Sequence, residues 1–158
     1  RHYLPRFSQI AYLAQMPHID INEKIRAMKN AKLTDADLRE IAERVLYARR
    51  WLQQYSPEKY KFEIQESLPA AVMTFSATQK SALKTILEYI ESTPNLEGNV
   101  LHARIHQIKS ELSIPPADLF SALYISFLGK ESGPQAGWFL TALDRNFVIT
   151  RLTEACAP

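Results

Sequence analysis

Cysteine is almost missing from this 158-residue chain, which has one, Cys156. A single thiol excludes an internal disulfide framework and any cysteine-rich zinc centre, and it fits a reducing compartment. Glycine is scarce too: three of the four, Gly129, Gly133 and Gly137, fall within nine positions, so they mark one unusual turn. Long apolar runs are lacking. No stretch free of Asp, Glu, Lys and Arg exceeds 13 residues, and the one at 67–79 carries Pro69 and several hydroxyls. A membrane span needs about 20 apolar residues, so none is expected. The first 20 residues show no signal-peptide pattern, and the first residue is Arg, not Met. A processed chain or an excised piece of a longer one is the expectation. Charge of one sign is not in excess either: the net of +2 announces no nucleic-acid surface. What is present is a hydrophobic content of 46%, enough to form a core and to argue against intrinsic disorder.

The nine prolines fall between periodic segments, as punctuation between helices. The clearest helix runs from Thr34 to Tyr55. Thr34 and Asp37 form a capping-box pair, and Leu38, Ile41, Val45, Ala48 and Leu52 make one apolar stripe. A second begins at the pair Ser76 and Gln79 and buries Leu83, Ile86, Leu87 and Ile90. A third spans about 97–112 with Leu101, Ile105, Ile108 and Leu112 inward. A fourth starts at Pro115-Pro116 and ends at Gly129, a C-terminal cap. Pro134 opens a fifth, ending near Leu143, and 145–153 is a short sixth. Shorter helical stretches are expected at 8–15 and 22–30. Residues 60–64 have strand character but no partner, so the fold class expected is all-α.

The stretch 66–75 has no clear period and contains Pro69, which places a junction there. The division expected is a helical subdomain over 1–66, a linker over 67–75 and a second helical subdomain over 76–158. Residues 1–55 carry a net of +4, whereas 56–95 and 96–158 are each slightly acidic.

Little here supports catalysis by the chain alone. There is no GxSxG elbow, no phosphate loop and no GxGxxG fingerprint. Cys156 near the chain end lacks a base. His102 and His106 share a helix face at the spacing of a two-histidine metal pair, but no HExxH pattern accompanies them and Lys109 lies on the same face. The reading is therefore two polar histidines and no metal. Trp51, beside Arg49 and Arg50, borders the apolar stripe and reads as core more readily than as a base-stacking ring.

The strongest candidate is the string 128–139, where a glycine-rich turn enters a helix. Lys130 adds positive charge, Ser132 and Gln135 offer polar groups, and Trp138 offers an aromatic face. Two readings of this corner stand: a single-stranded nucleic-acid contact, or an ordinary helix corner with Trp138 in the core.

Those residues also carry a family resemblance. The run from Leu123 to Leu140, with Leu128-Gly129-Lys130-Glu131-Ser132-Gly133-Pro134-Gln135-Ala136-Gly137-Trp138-Phe139 at its centre, resembles the C-terminal region of class I lysyl-tRNA synthetases. So do its continuation from Leu143 to Leu152 and the pair of strings Tyr47-Ala48-Arg49-Arg50-Trp51 and Tyr55-Ser56-Pro57-Glu58. More distantly, the pattern is similar to the anticodon-binding end of glutamyl-tRNA synthetases. The likeness covers nearly the whole chain and is weakest over 1–33.

The resemblance implies an all-helical cage that reads the anticodon of tRNA(Lys). It implies attachment to an N-terminal Rossmann catalytic domain of the same cytoplasmic polypeptide, where ATP is used. Neither adenylate-forming signature (HIGH or KMSKS) occurs here, so no ATP, lysine or zinc site transfers, and this chain is expected to hold no cofactor, catalytic residue or metal. Residues 76–158 would cradle the anticodon loop, with Trp138 or Phe139 near a stacked base. Lys130, Arg104 and Lys109 would touch phosphates, and Ser132 or Gln135 a base edge. Arg49 and Arg50 would lie along the anticodon stem. No membrane or DNA partner is implied. The alternative from another class is a helical protein-interaction module without tRNA binding.

Overall fold

The structure, a computed structural model, describes residues 5–16 and 19–158. Among the described residues every regular element is helical. The chain divides into two compact units, Arg1–Glu63 and Ile64–Pro158. Residues 64–75 thus belong to the second unit.

The first unit holds α1 (Phe7–Leu13), α2 (Ile21–Lys29), α3 (Asp35–Gln54) and a 3₁₀ turn at Glu58–Tyr60. Pro17 lies outside the described residues. The Thr34 box forms as expected: Thr34 Oγ1 accepts from the Asp37 amide at 3.2 Å, and the Thr34 amide donates to Asp37 Oδ2 at 2.8 Å. Asp37 does more than cap. It is buried, and Lys29 Nζ, at the end of α2, meets its Oδ2 at 2.6 Å, so one carboxylate closes the start of α3 and ties α2 to it. Of the expected stripe, Leu38 is exposed and Val45 half-buried. Ile41, Ala48 and Leu52 do face inward, among Ile10, Leu13 and Ile25. Trp51 packs edge-on against Phe7 at 5.6 Å and beside Tyr60 at 5.9 Å.

Residues 60–64 form no strand. Gln15 supplies the pairing instead: its Nε2 donates to the Tyr60 carbonyl at 3.1 Å, and its Oε1 accepts from the Phe62 amide at 3.0 Å. A side-chain amide satisfies that backbone without a second strand.

The second unit holds a 3₁₀ turn at Ala70–Thr74, then α4 (Ala77–Ser92), α5 (Gly98–Glu111), α6 (Pro116–Leu128), α7 (Ala136–Ala142) and α8 (Arg145–Ala155). Leu83, Ile86, Leu101, Ile105, Leu119, Leu123, Phe127 and Leu152 pack to full burial, with α6 apolar on nearly all sides. The Ser76–Gln79 box caps α4, and Arg145 closes its other end by donating to the carbonyls of Thr93 and Ile90. Buried Arg151 is the unit's polar pin. Its guanidinium donates to the carbonyls of Ser126 at 2.8 Å, Gln65 at 2.7 Å and Glu66 at 3.0 Å. Burial pulls its pKa below the ordinary guanidinium value, and Glu154 opposes that shift.

Helices α5 and α7 approach without side chains between them. A Cβ on Gly137 would lie 2.1 Å from the Gly98 carbonyl oxygen and 2.4 Å from the His102 amide nitrogen. Glycine is required there by space, not by backbone conformation.

Candidate nucleic-acid interface

The loop between α6 and α7 is built by its two ends. Gly129 caps α6 in the left-handed region at φ 64°, a conformation that disfavours side chains. Gly133 passes so close to α6 that a Cβ would sit 2.7 Å from a Tyr124 ring carbon and 2.8 Å from Leu128. Pro134 is buried, and its carbonyl accepts from the Tyr124 hydroxyl. Between these fixed points Lys130, Glu131 and Ser132 stand in solvent.

Helix α7 begins at Ala136, two residues later than the sequence placed it, because Gln135 is the N-cap: its Oε1 accepts from the Trp138 amide at 3.2 Å. The cap uses a donor that a phosphate would otherwise take, so Gln135 starts out engaged with its own helix. Trp138 is half-buried and follows directly on the Gly98–Gly137 approach.

Phe139 sits in the core, as its apolar pattern in the helix suggests, and is corrected only as the alternative base-stacking ring: it is fully buried, 6.0 Å from the Phe127 ring at right angles and 6.4 Å from Tyr124, and presents no face to a base. Of the two aromatics, Trp138 alone is not fully buried.

Arg104 and Lys109 do not gather at the loop. Arg104 turns towards α4, over the Tyr89 ring at 5.7 Å, and its guanidinium meets Glu111 at 2.6 Å. Its charge is already matched. Lys109 lies 11 residues beyond Gly98, about 16 Å along α5 at the usual helical rise. In the first unit, Arg49 and Arg50 are exposed on α3 and make no ion pair among the described residues.

Two features of this region are not apparent from the sequence. Tyr124 holds the loop through Pro134, and no local pattern in the sequence marks that contact. His102 is half-buried, its Nδ1 is buried without a hydrogen-bond partner, and its Nε2 lies 3.2 Å from that of His106. Burial first, and His106 second, lower its pKa from the ordinary histidine value. Among the described residues no group of three or more His, Cys, Asp or Glu could hold a metal, and no helix is long and apolar enough to cross a membrane.

The class defined by these features is an all-helical domain that displays a short polar and aromatic loop from a rigid apolar core. Residues 37–156 match the anticodon binding domain family, and the chain belongs to that family. Similar proteins include lysine–tRNA ligase 1 of Methanosarcina acetivorans, 32% identical over 94% of this chain and 31% of its own length. The lysine–tRNA ligases of Pyrococcus furiosus and Thermoplasma acidophilum are 34% and 33% identical, each over 92% of this chain and 28% of their length. The chain thus spans less than a third of the length of these relatives.

Proposed function

We propose that this chain is the anticodon-reading part of a class I lysine–tRNA ligase. Its partner is tRNA(Lys), and ATP-dependent aminoacylation is carried out by an N-terminal Rossmann part of the same cytoplasmic polypeptide. The observation that carries the reading is the loop 129–135, which exposes Lys130 and Ser132 beside a half-buried Trp138 in a chain of the anticodon-binding family.

Unpaired anticodon bases suit such a loop, because unstacked bases expose both a ring face and their hydrogen-bonding edges. Trp138 stacks one base, and Lys130 neutralises an adjacent phosphate. Ser132 reads a base edge, and Gln135 does so once it exchanges its own helix amide for the base. Arg49 and Arg50 on α3 add sequence-independent attraction along the stem. Lys109 adds charge farther from the loop, and Arg104 joins only by giving up Glu111.

The test is binding of a tRNA(Lys) transcript against an anticodon-swapped transcript at two salt concentrations. Tighter binding of the native anticodon at both salts is expected, and equal affinities would overturn anticodon reading. A protein-docking role has one observation in its favour: Leu46 and Tyr47, 60% and 54% exposed, are neighbours on α3. Absence of tRNA affinity even at low salt would favour that reading.

A further inference from the structure

His102 and His106 project one turn apart from α5, ring centroids 4.7 Å apart and planes near perpendicular at 78°. Their Nε2 atoms lie 3.2 Å from each other. Nitrogen–zinc bonds are about 2.0–2.1 Å long, so one ion equidistant from both nitrogens would subtend an N–metal–N angle of roughly 100°. That value falls between the octahedral and tetrahedral angles. Without an ion the two Nε2 atoms share a hydrogen bond, so the ring that holds the Nε2 proton must release it or carry it on Nδ1 when an ion enters. The spacing of a two-histidine pair, set aside in the sequence because no HExxH pattern accompanies it and Lys109 shares the face, places both Nε2 atoms within reach of one ion in the fold.

The pair is also held in place before any ion arrives. Phe120 on α6 backs both rings, at 6.2 Å from His102 and 5.3 Å from His106. The backbone at His102 is fixed by the Gly98–Gly137 approach of α7.

We propose that His102 and His106 form a two-imidazole site for a divalent transition-metal ion, zinc above all. The remaining coordination positions are open to water or to an oxygen donor of a bound ligand. Two features set the affinity. His102 Nδ1 has no acceptor behind it, so the site lacks the outer partner that usually steadies a ligand imidazole. Lys109, one turn on along the same face, opposes a second cation. The site is therefore weaker than a four-ligand structural zinc centre.

The experiment is a Zn²⁺ titration of the whole chain in competition with a chromophoric chelator, read together with histidine-ring nitrogen resonances by NMR. One Zn²⁺ per chain is expected, with shifts in the rings of His102 and His106. His106→Ala, an exposed position, should weaken binding at least tenfold while leaving the metal-free melting curve nearly unchanged. His102→Ala should do the same, with its fold checked by circular dichroism. Equal zinc affinity in wild type and His106→Ala would overturn the proposal, as would shifts confined to His2 and His18. The outcome is independent of tRNA binding, so it fails or stands separately from the anticodon reading.

Discussion

The two units solve the folding problem differently. The first carries a net charge of +4 on its 63 residues and the second −2 on its 95. The basic unit leaves Leu38, Leu46, Tyr47 and Tyr55 exposed and ties the root of α3 with an ion pair between half-buried Lys29 and buried Asp37. The acidic unit buries α6 almost completely and brings the backbones of α5 and α7 together. Charge and rigidity are thus segregated. In the proposed function this places long-range attraction to RNA in one unit and loop geometry in the other, because phosphate attraction needs only surface charge and base reading needs fixed side chains.

The sharpest way to break that contrast is to empty the rigid core. Phe139→Ala should cost about 3–5 kcal/mol in a urea melt, because a fully buried ring between Phe127 and Tyr124 is removed. Gly137→Ala should cost about 3 kcal/mol by driving a methyl into the Gly98 carbonyl, again measured by denaturation. A surface-like effect at Phe139, or none at Gly137, would contradict the packing described. Trp138→Ala, between those two positions, should instead cost about 1–3 kcal/mol of tRNA(Lys) affinity in a binding titration. A wild-type affinity for that variant would remove Trp138 from the interface.

The basic unit should respond in another observable. Arg49→Ala with Arg50→Ala should weaken native and anticodon-swapped transcripts alike and flatten the salt dependence of binding by about one unit for each phosphate no longer neutralised. Loss of anticodon discrimination in that double variant would show that the division of labour is wrong. The smallest effect is acidic. The folded-state pKa of His102 is lowered, so the unfolded chain binds its proton first as pH falls below about 6.5. The stability His102 retains at neutral pH declines between that point and its folded pKa. His102→Gln should flatten the slope of melting temperature against pH over this window.

Helices were legible wherever local chemistry fixed their ends. Thr34–Asp37, Ser76–Gln79, Pro115-Pro116 and Gly129 each close a helix within a few residues, and each does so in the structure. What escaped the sequence is decided across distance. The backbone at 60–62 is satisfied by Gln15, 45–47 positions away, and no local pattern records that. Trp138 and Phe139 are adjacent and alike in character; Phe139 is fully buried because it packs between Tyr124 and Phe127 of α6, whereas Trp138 is half-buried, and nothing local separates the two. Arg104 looked available because its partner, Glu111, is seven residues on, beyond the usual one-turn pairing. The loop itself was legible because glycine and proline announce a bend, whereas the amide that Gln135 satisfies was not.

The absence of side chains between Gly98 and Gly137 bears on how this protein can change. With α7 unable to slide on α5 and Gly129 fixing the end of α6, the three residues 130–132 hang between two immovable posts. Glu131 and Ser132, both exposed, are the positions a library can vary with least disturbance of the scaffold, so specificity can drift while the architecture stays constant. The posts themselves tolerate almost nothing.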